Sequence, residues 1–191
     1  MPPYCTSANL RSPALATDPT EKVSVSLVAA IGRRGELGRK GELVFRLKDD
    51  MAHFRSVTRG KPLVMGHKTW DSLPKKPLPG RPNLIASRNP NFLAPGAFVY
   101  SSLAPALAAG RAMAAKAGLD EVCVIGGAQV FSAALPVTDR LWLTEVDGEV
   151  EADAFFPLFD RRAWREVSTA RFAASDGNEF PFVIRELMRA S

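Results

Sequence analysis

Two adjacent aspartates sit in an otherwise largely apolar run, LVFRLKDDMAHF, from Leu43 to Phe54. A carboxylate does chemistry most readily when it is drawn out of water, so the question is which of the pair turns inward. On a helix, Leu47, Asp50, Met51, Phe54 and Val57 follow the i, i+3, i+4, i+7 rule with one further turn, which places all five on one face. Asp49 falls off that stripe, among Lys48, Ala52 and Arg55, and is expected to be a solvated charge favoured near a helix N-terminus. Asp50 projects with the apolar side chains. Desolvation raises the pKa of such a group unless a cation or hydrogen-bond donor stabilises the ion. In that setting it can anchor an amidine-like or aminopyrimidine ring through two parallel hydrogen bonds.

A second set of residues suits phosphate. Gly66 opens the turn His67-Lys68-Thr69, and Gly126-Gly127, after Ile125, opens the turn Ala128-Gln129-Val130. Each junction offers backbone N–H groups at the start of a helical segment, where an anion is favoured. His67, Lys68 and Arg88, with the hydroxyl of Ser87, add positive charge and hydrogen bonds to the same edge. There is no GxGxxG and no Walker lysine motif, so the two standard phosphate-loop families fit poorly. The convergence of two glycine-opened turns and several basic or hydroxyl-bearing strand ends carries the reading.

Other chemistries find little support. His53 and His67 are the only two histidines, and neither adjoins a serine or cysteine motif suited to nucleophilic attack. Cys123, in the apolar run EVCVIGG, reads as an inert core residue. Few histidines and no acidic cluster argue against a catalytic metal. The two cysteines, Cys5 and Cys123, form no disulfide framework, and a reducing cytoplasm fits best.

The elements that must hold these residues alternate between strand and helix from Val23 onward. VSVSLVAAIG (23–32) reads as a buried strand and RRGELGRKGEL (33–43) as a mobile glycine-rich loop. A helix is expected from Leu47 to about Arg59, then a strand in KPLVMG, a helical turn in HKTWDSL, and an irregular proline-rich stretch in PKKPLPGRP. NLIAS and AFVYS give strands, SLAPALAAGRAMAAKAG a helix, EVCVIGG a strand, AQVFSAALP a short helix and RLWLTEV a strand. WREVSTARFAA and FPFVIRELM, split by the polar turn SDGNE, form an antiparallel hairpin. The expected fold is therefore α/β: three layers, with a mixed, mainly parallel sheet, helices on both faces and a C-terminal antiparallel hairpin. Ligands of such sheets bind at the carboxyl ends of the strands, where the candidate residues cluster.

The 191 residues suit one domain from residue 23 to 191, preceded by a polar extension, residues 1–22, that reads as disordered. Net charge is +5, but the basic residues are scattered, without an arginine-rich arm or aromatic–basic sheet motif, so nucleic acid is not an expected partner. No apolar run reaches membrane-span length.

Taken in order, VSLVAAIGRRGELGRKGELVFRLKDDMAHF, KPLVMGHKTWDSL, PLPGRPNLIASRN, EVCVIGGAQVF and RLWLTEV closely resemble the dihydrofolate reductase family, bacterial chromosomal type, from Val25 to the C-terminal hairpin. The resemblance implies an eight-stranded sheet and NADPH-dependent reduction of 7,8-dihydrofolate to tetrahydrofolate for one-carbon metabolism. It implies competition by antifolates such as methotrexate or trimethoprim, and a cytoplasmic monomer. By position, Asp50 is similar to the acid that anchors the pterin and promotes protonation at N5. Thr144 is similar to the threonine bonded to that acid. Ala29, Ala30, Leu43, Met51, Phe54, Leu73 and Leu78 correspond to walls of the substrate site. Arg81 corresponds to the arginine that grips the glutamyl carboxylate, a task suited to its planar fork. For the cofactor, Gly66, Lys68, Thr69, Ile125, Gly126, Gly127, Ala128, Gln129 and Val130 resemble the pyrophosphate cradle. His67, Ser87 and Arg88 stand where the 2′-phosphate is recognised, and Ala30, Gly38 and Leu43 where the nicotinamide side is bounded. The 33–43 loop corresponds to a lid.

Two departures stand out. Val44-Phe45 replaces the family's usual Pro-Trp, removing an indole donor, and Phe131 replaces a common tyrosine. Three rivals remain open on sequence: the riboflavin-pathway reductase of the same fold, a non-catalytic nucleotide-binding module, and a basic nucleic-acid binder.

Overall fold

The computed structural model describes residues 19–190. The expected extension, residues 1–22, lies mostly outside them. Its last four residues, Pro19–Lys22, form a 3-10 turn that lies against the long helix α3 (Leu103–Lys116), and so belong to the folded body rather than to a tail.

Eight strands form the main sheet, in the order β10-β11-β8-β1-β7-β4-β5-β6. They are β1 (Ser24–Ile31), β4 (Leu63–Gly66), β5 (Asn83–Ala86), β6 (Phe98–Tyr100), β7 (Glu121–Gly126), β8 (Arg140–Val146), β10 (Trp164–Phe172) and β11 (Phe182–Arg189). All pairings among β1 and β4–β8 are parallel, and β11 and β10 run antiparallel at one edge. This is the expected mixed α/β sheet with its C-terminal hairpin.

Period-2 alternation sorts the strand residues to two faces. Val25, Leu27, Val64, Leu84, Val122 and Val124 pack against α3 and α4 (Ala128–Ala134) through Ala106, Leu107, Phe131 and Ala134. Val28, Leu63, Met65, Ile85 and Cys123 face the other way, toward Trp70 of α2 (His67–Ser72) and Phe54 and Val57 of α1 (Lys48–Val57). The result is three layers. α1 is one to two residues shorter at each end than its periodicity suggested, because Leu47 is extended and the chain turns away at Thr58.

The 33–43 segment is not an open loop. Glu36–Arg39 (β2) and Glu42–Leu43 (β3) pair as a small hairpin, and β2 also pairs with Ala154–Phe155 (β9), a strand absent from the sequence reading. Opposite charges flank this second sheet. Arg33 meets Asp147 at 2.5 Å, Arg39 meets Glu151 at 2.6 Å, and the Lys40 amide donates to Asp153 at 2.8 Å. Exposed pairs of this kind are individually weak, so the backbone pairing and the buried Leu37 and Phe156 carry most of the order. No helix among the described residues is long and apolar enough to cross a membrane.

Candidate active site

Asp50 leaves the first turn of α1 and is 7% exposed. The Thr144 hydroxyl, near the carboxyl end of β8, donates to Asp50 Oδ1 at 2.6 Å. Thr144 is itself buried and pairs in register with Ala30 at the end of β1. Burial pushes the Asp50 carboxyl above its ordinary range and the Thr144 hydrogen bond pulls it back in part. Desolvation wins because only one donor faces a largely dry carboxylate. Ala29 and Ala30 are half-buried at the same strand end. The stripe drawn from helical spacing is confirmed as geometry: Asp50 is buried, and Met51, Phe54 and Val57 are half-buried on its face.

Asp49 is exposed, as expected, but it is not a free charge. Asn178, in the turn between β10 and β11, donates to Asp49 Oδ2 at 2.8 Å and accepts the Asp49 amide at 3.2 Å. Gly177 accepts the Lys48 amide at 2.8 Å. α1 has no side-chain cap from Leu47, so this distant turn satisfies amides that a helix start leaves unpaired. The capping partner lies 129 residues away, which local sequence patterns do not reveal.

From Asp50 the apolar wall continues along α1. Phe54, Leu73, Leu78 and Ile125 are partly buried around the Val28–Met65 cluster. The Arg81 guanidinium lies 5.9 Å from the Phe54 ring centre and donates through Nη1 to Thr58 Oγ1 at 2.6 Å. Thr58 Oγ1 in turn donates to the Phe54 carbonyl at 2.6 Å, so the end of α1 holds Arg81 in place. Leu43 does not join this wall. It is 68% exposed on β3, opposite Gly38, because the hairpin carries it outward. Gly38 accepts the Asp153 amide at 3.0 Å.

The two glycine-opened turns come together. Parallel pairing of β4 with β7 sets Met65 beside Gly126. A Cβ on Gly126 would stand 3.1 Å from Thr69 Oγ1, and one on Gly127 3.2 Å from it. A Cβ on Gly66 would stand 3.1 Å from Val130. Gly126, at φ +132°, adopts a backbone that other residues rarely take. Ala128 and Val130 are half-buried behind this cleft and Gln129 is exposed. On the next strand, Gly66 pairs with Ala86, which brings His67 beside Ser87. His67 rests its ring against Phe92 at 5.7 Å. Ser87 is buried, its oxygen accepting the Asn89 amide, while Lys68 and Arg88 are exposed. The crowded glycine backbones and the adjacent cations fit a dinucleotide phosphate.

Known proteins decide which family this is. The family model for dihydrofolate reductase matches residues 24–189. The chain belongs to the dihydrofolate reductase family. Dihydrofolate reductase from Neisseria meningitidis is 41% identical over 162 residues, 84% of this chain and 96% of the relative. That of Mycobacterium tuberculosis is 43% identical over 157 residues, 79% of this chain and 91% of the relative. A solved dihydrofolate reductase from Enterococcus faecalis, complexed with NADP(H) and RAB-propyl, superposes with a TM-score of 0.79 at 27% identity. It covers 89% of this chain and 98% of its own. Membership in an NADP-dependent oxidoreductase family sets aside the riboflavin-pathway reductase and the non-catalytic module.

Cys123 is buried within the sheet, and burial pushes its thiol up to about 12, in keeping with an inert core residue. Sequence reading missed Asp147, Glu151 and Asp153, which tie down the β2–β3 hairpin. The acidic run EVDGEVEAD, set against the basic RRGELGRKGE, was the available signal.

Proposed function

We propose that this chain reduces 7,8-dihydrofolate to 5,6,7,8-tetrahydrofolate, with transfer to C6 and protonation at N5. Dihydrofolate reductase is an NADP-dependent oxidoreductase, and the chain belongs to that family over nearly its whole described length. The observation that carries the residue-level reading is Asp50, the buried carboxyl bonded to Thr144 beside Ala30.

Ionised, Asp50 accepts two parallel hydrogen bonds from the exocyclic amine and N3–H of the pterin, and Thr144 holds the carboxylate in the plane that this requires. Ala29 and Ala30 keep the space at the strand end flat. Met51, Phe54, Leu73 and Leu78 exclude water from the aromatic body of the substrate. Arg81, already fixed by Thr58, presents its remaining N–H groups to the glutamyl α-carboxylate. The Gly66 and Gly126-Gly127 turns, with Lys68 and Thr69, bind the cofactor pyrophosphate. His67, Ser87 and Arg88 bind the 2′-phosphate that separates NADPH from NADH. Bound there, NADPH supplies the hydride. The raised pKa of Asp50 keeps a proton available to the site at a higher pH than a solvated carboxylate would. Leu43, exposed at the end of β3, would complete the substrate wall by swinging inward. The product serves one-carbon transfer to thymidylate, purines and amino acids, and methotrexate or trimethoprim competes for the pterin site. The enzyme acts as a cytoplasmic monomer.

Absorbance of NADPH followed with dihydrofolate, with and without methotrexate, tests the reading. Folate-dependent, methotrexate-sensitive oxidation is expected, and its absence overturns the reaction. Asp50→Asn should lose most turnover while keeping NADPH affinity.

A further inference from the structure

One turn beyond Asp50 on α1, and two residues before Thr144 on β8, the same contact is made by a second pair of side chains. His53 and Trp142 meet edge-to-face with ring centres 5.4 Å apart. Positions i and i+3 of a helix share a face, as do i and i+2 of a strand, so this pair neighbours the Asp50–Thr144 pair. His53 Nε2 and Trp142 Nε1 are both buried, and neither has a hydrogen-bond partner among the described residues. Buried polar atoms are nearly always satisfied, so two on adjoining rings mark a place where a polar ligand or water is held.

On their outer side lies a cavity of about 530 Å³ between α1 and the C-terminal hairpin. Asp49, His53, Ser56, Trp142, Ser168 and Phe172 are among its walls, and Asp50 is not. His53 therefore stands between this cavity and the acid. It is three residues from Asp50 but is reached from the side away from Ala30.

We propose that His53, with Trp142, is the inner end of a proton route from this cavity to Asp50, so that His53 acts as a positioning residue for the reaction proposed above. The reduction consumes one proton from water per turnover. A water held by His53 Nε2 and Trp142 Nε1 passes a proton to an Asp50 oxygen: an O–H bond forms on the carboxylate and an O–H bond of that water breaks. The hydroxide left behind takes a proton from water in the cavity, whose own hydroxide leaves to solvent, while His53 and Trp142 keep their protons and hold the relaying water in line. One proton moves inward, Asp50 becomes neutral until it gives that proton up, and His53 keeps the same tautomer throughout.

The charges around His53 are mixed. Asp49 of α1 shares the cavity wall with it, Glu186 acts on it from β11, and Arg140 of β8 lies 5.6 Å from the Trp142 ring centre while pairing with Glu186 at 3.4 Å. β10 brings Ser168, Thr169, Ala170 and Phe172 to the cavity wall, none of them charged. Burial holds the His53 imidazole below its ordinary pKa, against the opposing pull of Glu186, so near neutral pH the ring carries one N–H and one lone pair, as the route requires.

The test is single-turnover reduction against pH in H₂O and D₂O, using the full chain with NADPH and dihydrofolate. His53→Phe should slow the step about tenfold above neutral pH, less than the roughly hundredfold cost of losing a direct proton donor. It should also raise the solvent isotope effect, converge on the wild type near pH 5 and leave dihydrofolate affinity unchanged. His53→Gln, which restores a polar atom near the Nε2 position, should recover most of the rate. A folded His53→Phe protein with wild-type pH profile and isotope effect overturns the route. So does a loss equal at every pH and shared by His53→Gln, which is packing alone. If His53→Phe does not fold, Trp142→Phe decides by the same pH profile and isotope effect, which loss of the Nε1 donor moves and loss of the pyrrole ring's packing alone does not. Failure of the wild type to oxidise NADPH with dihydrofolate would instead remove the reaction itself.

Discussion

Replacing Thr144 by valine removes one hydroxyl at nearly constant volume, and the consequences divide by pH. Among the described residues, this hydroxyl is the one side-chain donor to Asp50. A hydrogen bond to a charged group contributes about 1.5–3 kcal/mol, and one between neutral groups about 0.5–1.5 kcal/mol. Because the folded Asp50 pKa is raised, the stability linked to its protonation is fully present below the ordinary carboxylate range. It is lost as pH rises through the folded value. Thr144→Val destabilises the ion further and moves that folded value up. With a loss of about 2 kcal/mol at pH 8 and roughly 2–4 °C per kcal/mol for a chain of this size, the melting temperature should fall by roughly 4–8 °C. Near pH 3, below the ordinary carboxylate range, where the raised carboxyl is protonated, the fall should be about half as large. Thermal unfolding followed by circular dichroism at both pH values reads this, and the alkaline limb of the single-turnover rate profile should move to higher pH. Equal losses at the two pH values, or an unmoved limb, would refute the assignment of Thr144 as the donor that tunes Asp50.

Three further outcomes follow from the same geometry. Asp50→Asn removes a buried ion, so its melting temperature relative to wild type should rise as pH goes from 4 to 8; a pH-independent difference would mean that Asp50 is not desolvated in solution. Arg81→Lys should raise the KM for dihydrofolate about tenfold or more, equivalent to about 1.4 kcal/mol, with NADPH affinity unchanged. The same variant should show no change with a folate lacking its glutamate. Phe45→Trp should retain folate binding and alter the pH–rate profile. Because Phe45 is buried against Gly32 and Phe180, overpacking should also cost about 1–3 kcal/mol in urea unfolding. An unaltered profile would show that an indole donor there is dispensable.

Helical spacing alone separated Asp50 from Asp49, since a 3.6-residue period acts on neighbours in the chain and needs nothing distant. The glycine-opened turns were legible for the same reason. What escaped notice depends on pairing between remote segments. The 33–43 stretch has the composition of a loop, yet it is drawn into strands by Ala154–Phe155, more than a hundred residues away in sequence. Leu43 was assigned to a pocket by position, and the hairpin places it in solvent. Asp49 has the pattern of a solvated charge, and only the folded turn reveals Asn178 as its partner. His53 drew no attention because its significance lies in Trp142, on another element.

The turn at Gly177 and Asn178 also imposes an order of events. α1 carries the acid, but its first amides are capped from the hairpin, and β8, which carries Thr144, is flanked by β11 from that same hairpin. During synthesis, every residue of the pterin site named above leaves the ribosome before the segment that fixes them. A nascent chain short of its last few turns thus holds Asp50 on a helix with an uncapped start and a sheet missing an edge. Such long-range closure is slow and comes late. The proposed pterin site is therefore completed last, and a chain that stops before the hairpin leaves Asp50 on a helix without its cap.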